Sequence, residues 1–155
     1  MRPTVEEQLL GTCRVLEKVV SPCVADPYAR TMLEGLIANL RMLTSALPSV
    51  PGFLDGDNRA TARLLGQLQA VVVPGLAARI TLALQQPEPD ATNTRALEQR
   101  NGELRELFSQ ALCGDNLTPA MRGAALAHMS ARAARSPMRY VPTASPAASQ
   151  SAKAT

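Results

Sequence analysis

The stretch "ADPYARTMLEGLIANLRMLTSALPSVPG", residues 25–52, decides the fold class. Asp26 is placed to accept hydrogen bonds from the free backbone donors of a helix start. Pro27 fills the first helical position, where a backbone N–H would be unpaired in any case. Leu33, Leu36, Ile37, Leu40, Leu43 and Leu47 then recur at helical spacing until "PSVPG" ends the run. This is the clearest amphipathic helix in the chain, and it leads to an all-α expectation.

Towards the N-terminus, "TVEE" sets Thr4 as a cap with Glu7 three residues on, a reciprocal capping box at the positive end of the helix dipole. Val5, Leu9, Cys13, Leu16 and Val20 form one apolar stripe, ended by "SPC". Towards the C-terminus, "GFLDGDN", residues 52–58, reads as a loop in which Asp57 or Asn58 caps a third helix. Its inward face is Leu64, Leu65, Leu68, Val71 and Val72. Pro74–Gly75 then kinks or briefly breaks the helical path before Leu76, Ile80, Ala83 and Leu84.

A linker follows from Pro87 to Asn93, since two closely spaced prolines cannot continue a helix. A fifth helix is predicted over Thr94–Leu112 on Leu97, Leu104, Leu107, Phe108 and Ala111. Its solvated face carries Glu98, Arg105 and Glu106, and Asn101 is out of place on the apolar stripe. Thr118 and Pro119 open a last helix whose small residues Ala120, Gly123, Ala124, Ala127 and Ala131 suit close approach by a neighbour. The expected architecture is a single domain over 1–142, a bundle of five or six mostly antiparallel helices. A disordered tail is expected over 143–155, where Pro, Ser, Ala and Thr dominate.

Composition agrees with helices. Of 155 residues only two are Phe and two Tyr, with no Trp, so Leu, Val, Ala and Met must fill the core. The three cysteines form no C-x-x-C and read as reduced thiols, although spacing leaves a Cys13–Cys23 bridge open. "MRPTVEEQ" lacks the apolar core of a signal peptide, and the longest apolar run, Ala70–Ala78, is too short for a bilayer. A cytoplasmic location is therefore expected, with no membrane partner.

Little chemistry is written in the chain. His128 is the single histidine and has no cysteine or acid at helical spacing, so neither a metal site nor a catalytic triad is expected, and His128 reads as a polar boundary residue. "DGDN", residues 55–58, lacks the Gly and Glu that a calcium loop needs at its sixth and twelfth positions, where Ala60 and Gly66 stand. A capping turn explains these acids better. Cys113 reads as a buried helix-end thiol. Glu6 with Glu7 serves the helix start, Glu103 with Glu106 lies on a solvated face, and no phosphate-binding glycine loop is present. No catalytic residue, metal or cofactor is predicted.

After Asp115 the chain carries Arg122, Arg132, Arg135, Arg139 and Lys153 and no acid. Arg132, Arg135 and Arg139 share helical spacing, and Tyr140 is the one aromatic beside them. These four are the candidate contacts for a partner or an anion. Helix-end or interface use is favoured over nucleic acid, whose footprints hold more charge.

The opening "RPTVEEQLLGTCRVLEKVVSP", residues 2–22, with the Leu- and Ala-rich helix after it, and the close "ALAHMSARAARSPMRY", residues 125–140, resemble the two ends of a family of small uncharacterised helical bacterial proteins. Such proteins are often encoded beside aminoglycoside-phosphotransferase-like kinases or acyl-CoA dehydrogenases. The resemblance implies a helical bundle that serves as an accessory partner of a neighbouring enzyme, and it carries over no catalytic residue. The expectation is thus a non-enzymatic interaction protein, self-associating through its last or second helix or partnering such an enzyme. The alternatives are an acyl-type small-molecule binder with an arginine at the mouth of its pocket, and a weak nucleic-acid binder through the basic end.

Overall fold

The computed structural model describes residues 3–114 and 116–137, and it is all-α, as the periodicity predicts. Six α-helices follow one another among the described residues: α1 (Val5–Val15), α2 (Pro27–Ala46), α3 (Val50–Leu68), α4 (Pro74–Gln85), α5 (Thr94–Leu112) and α6 (Pro119–Arg135). None of them is long and apolar enough to cross a membrane. The expected tail at 143–155 lies outside the described residues, as do Arg139 and Tyr140.

The predicted starts are where the side chains put them. Thr4 Oγ1 accepts from the Glu7 amide at 3.1 Å while Glu7 Oε2 accepts from the Thr4 amide at 2.7 Å, closing the capping box. Asp26 accepts from the Ala29 amide at 2.7 Å, Asn93 from Ala96 and Thr118 from Met121. Past Val15, α1 widens into a π-helical stretch, Leu16–Val20, and closes with a 3-10 turn at Ser21–Cys23. Pro74 ends the ambiguity about a kink: it starts α4 after a break at 69–73. In the linker Asp90 accepts from both the amide and the hydroxyl of Thr92 at 2.8 Å, and these bonds hold its carboxyl below the usual range.

The expected start of the third helix fails. "GFLDGDN" is not a loop, because α3 begins at Val50 with Pro51 in its first turn, where proline is tolerated, and runs through both glycines. Asp57 and Asn58 cap nothing and are buried. Their local preference for turns is overridden by partners far along the chain, as described below.

Two layers of packing result. Helices α3 to α6 share one core of Leu64, Leu65, Leu68, Ile80, Ala83, Leu104, Leu107, Phe108, Ala111, Leu117 and Ala125. The most extensive contact is between α3 and α5. These two run parallel, since Asn58 meets Leu97 and Asn101 while Ala62 lies with Leu104; α4 and α6 run antiparallel to them. The C-terminal end of α4 is closed by buried Arg100, which donates to the Ala83 carbonyl at 2.6 Å and to Gln86 at 3.2 Å.

Helices α1 and α2 form a hairpin tied by the Arg41–Glu17 ion pair at 2.7 Å, and it meets the body chiefly through the 3-10 turn Leu47–Ser49. Only Cys13, Ile37, Thr44 and Ala46 are buried in it. Both of its predicted stripes are therefore only partly used: Val5, Leu36 and Leu47 stay exposed.

Candidate functional site

The site is built where α6 crosses α3 and α5. Asp57, on the inner face of α3, has a side chain with no exposure at all. Its Oδ2 accepts from Asn101 at 2.7 Å and from Arg132 Nε at 2.8 Å. Asn101 also donates to Asn58 Oδ1 at 2.9 Å, and Asn58 donates to the Leu97 carbonyl at 3.1 Å. Asn101, out of place on an apolar stripe, is thus the hinge of a buried polar cluster that joins three helices. Asp57 Oδ1 has no hydrogen-bond partner among the described residues. A buried carboxylate held by one amide and one guanidinium depends strongly on both.

One turn along, buried Thr61 meets His128 Nε2 at 3.1 Å. The two share one hydrogen bond, in which Nε2 accepts from the hydroxyl in one imidazole tautomer and donates to it in the other. The ring packs edge-on against Phe108 at 5.4 Å between centroids. Burial pushes the His128 pKa below its ordinary value of 6.5; Asp57 pulls it up, and Arg135 and Arg132 push it further down. The polar boundary residue expected from sequence is thus a hydrogen-bonded interface residue.

Beside this cluster, between α5 and α6, is a half-open recess of about 380 Å³. Its apolar lining is Phe108, Leu112, Met129 and Ala133, and its polar lining is Arg105, Ser109, His128 and Arg132, with both kinds on each helix. Arg105 makes no hydrogen bond or ion pair among the described residues, and Ser109 Oγ is likewise unengaged. Arg132 uses only Nε, so both terminal nitrogens are unengaged there, while its guanidinium carbon lies 5.7 Å from the Phe53 ring centroid.

Of the residues singled out from sequence, Arg132 is here but is committed to Asp57 first. Arg135 is exposed and donates to its own helix, to the Ala131 carbonyl at 3.2 Å. Helical spacing therefore does not make Arg132 and Arg135 one patch. The small-residue face of Ala120, Gly123, Ala124, Ala127 and Ala131 is exposed; α6 docks through Met121, Ala125, His128 and Arg132 instead. This correction follows from the polar cluster, which fixes the rotation of α6. Cys113 is exposed rather than buried, and Cys13, Cys23 and Cys113 are all free thiols. Glu103 and Glu106 are occupied by Arg100 and Arg79. Sequence reading missed Asp57, Thr61 and Arg105 as site residues; the misplaced Asn101 was the one signal pointing to the cluster.

A second feature is the open face of the hairpin. Tyr28, Met32, Leu36 and Leu47 lie along α2 and just past its end, exposed by 75, 51, 57 and 41%. Comparison with protein-family models, with curated proteins and with solved structures finds no match to this chain.

Proposed function

We propose that this chain is a non-enzymatic helical interaction protein whose α1–α2 hairpin associates with a second copy of itself. The observation that carries the reading is the concentration of exposed apolar side chains in the hairpin and the turn that follows it. Ten of the fourteen large apolar side chains exposed among the described residues lie between Val5 and Leu47. Large apolar side chains exposed singly are ordinary, whereas their concentration on one hairpin is what marks an interaction surface. A stripe running the length of α2, about 30 Å, is suited to self-pairing across a two-fold axis.

Light scattering on the full chain tests this. A dimer is expected at micromolar concentration, and Leu36→Glu with Met32→Glu is expected to give a monomer of unchanged helicity. A wild-type chain that stays monomeric and still recovers a phosphotransferase-like or acyl-CoA dehydrogenase-like enzyme from its host would replace self-association with an accessory role. A monomer that recovers no partner removes the reading.

A further inference from the structure

We propose that the recess between α5 and α6 binds an organic anion with an apolar body, its anionic head on Arg105 and Arg132 and its chain against Phe108, Leu112 and Met129. Two guanidinium groups line one concavity that no acid lines, and only one of them has a carboxylate partner. Arg105 is unpaired among the described residues, because Glu103 and Glu106, two and one residues away on the same helix, do not face it, and they lie near Arg100 and Arg79 instead.

Arg132 is tethered through one nitrogen only. Asp57 fixes its Nε at 2.8 Å and Phe53 lies against the guanidinium, which leaves Nη1 and Nη2 as a two-pronged donor for a carboxylate or phosphate head. Ser109 adds a free hydroxyl on the same side. Beside these donors, on the same two helices, the lining includes hydrocarbon and thioether from Phe108, Leu112 and Met129, which no purely inorganic anion would use. A volume of about 380 Å³ falls at the small end of ligand pockets, the size for a short acyl chain and its head. The inference is independent of self-association, because the recess belongs to α5 and α6 and the stripe to α2.

Calorimetric titration of the full chain with octanoate and with octanol tests it. Octanoate is expected to bind saturably, one per chain, and octanol at least tenfold more weakly. Arg105→Ala, which removes no polar contact among the described residues, is expected to weaken octanoate at least tenfold, to leave octanol unchanged and to leave the melting temperature unchanged. Ala133→Trp, at an exposed lining position, is expected to block both. Equal binding of the acid and the alcohol, an Arg105→Ala variant that binds octanoate as wild type does, octanoate bound undiminished by Ala133→Trp, or no saturable binding would each overturn the proposal.

Discussion

Replacing Arg132 by methionine isolates the energetics of the polar cluster. Methionine keeps an unbranched apolar stem and deletes the guanidinium that faces Phe53, so the Asp57 carboxylate, with no side-chain exposure, is left with Asn101 as its one hydrogen-bond donor. Breaking a buried ion pair from this side costs about 3–5 kcal/mol, because a desolvated charge loses its counter-ion. The opposite change is milder. Asp57→Asn keeps an acceptor for Asn101 and Arg132 and leaves a guanidinium that is already 29% exposed and can be solvated, but it buries an amide donor where Oδ1 has no partner, for a loss of about 1–3 kcal/mol. The double variant should therefore be more stable than Arg132→Met alone, with a coupling energy of about 2 kcal/mol or more. At about 2–4 °C per kcal/mol, Arg132→Met should lower the melting temperature by roughly 6–20 °C. Urea unfolding read by circular dichroism measures the set, and amide-exchange protection at Leu104 and Leu107 reports on the body alone. Equal costs for Arg132→Met and Asp57→Asn, or a cost below about 1 kcal/mol for Arg132→Met, would refute the reasoning.

Gly56 stands inside α3 with a negative φ and with no atom of a neighbouring element within 4 Å of the position a Cβ would take, so Gly56→Ala should stabilise the body by about 0.5–1 kcal/mol, measured as a rise in melting temperature. Destabilisation by that change would return "GFLDGDN" to a loop. Because the folded-state His128 pKa lies below 6.5, the unfolded chain takes up a proton first as pH falls. The His128 contribution is fully present above about pH 6.5 and is lost as pH drops from there through the folded value. His128→Gln, whose amide can both donate to and accept from Thr61 but does not titrate, should flatten that segment of the stability–pH curve.

Helix existence was legible because caps and periodicity are local. Thr4, Asp26 and Thr118 each accept from an amide three residues away, so a short window of sequence contains both halves of the interaction. The start of α3 was illegible for the converse reason. Asp57 and Asn58 look like caps to any local reading, and their partners Asn101 and Arg132 are 44 and 75 residues away from Asp57. The rotation of α6 was hidden by the same distance: a face of small residues suggests close packing, but Thr61 and Asp57 select the His128–Arg132 face. The candidate arginines illustrate both limits. Arg132, a candidate partner contact by its spacing, is a half-buried anchor, whereas Arg105 is exposed as its solvated face predicts and also lines the recess beside that anchor.

The unequal packing of the two layers leads to a further expectation. An isolated helix draws most of its stability from tertiary burial, and α1 and α2 bury only Cys13, Ile37, Thr44 and Ala46 between them and against the body. The body, with its shared core across four helices, does not need the hairpin in the same way. If a second copy covers Tyr28, Met32 and Leu36, the burial that the hairpin lacks is supplied by association, and its helicity becomes coupled to protein concentration by mass action. Hydrogen exchange should then show amides of Gly35–Arg41 losing protection on dilution through the dimer dissociation range, while those of Leu104–Phe108 in α5 do not change. Protection that is independent of concentration in both segments would mean that the hairpin is stable alone. The exposed stripe would then have to be explained without self-association.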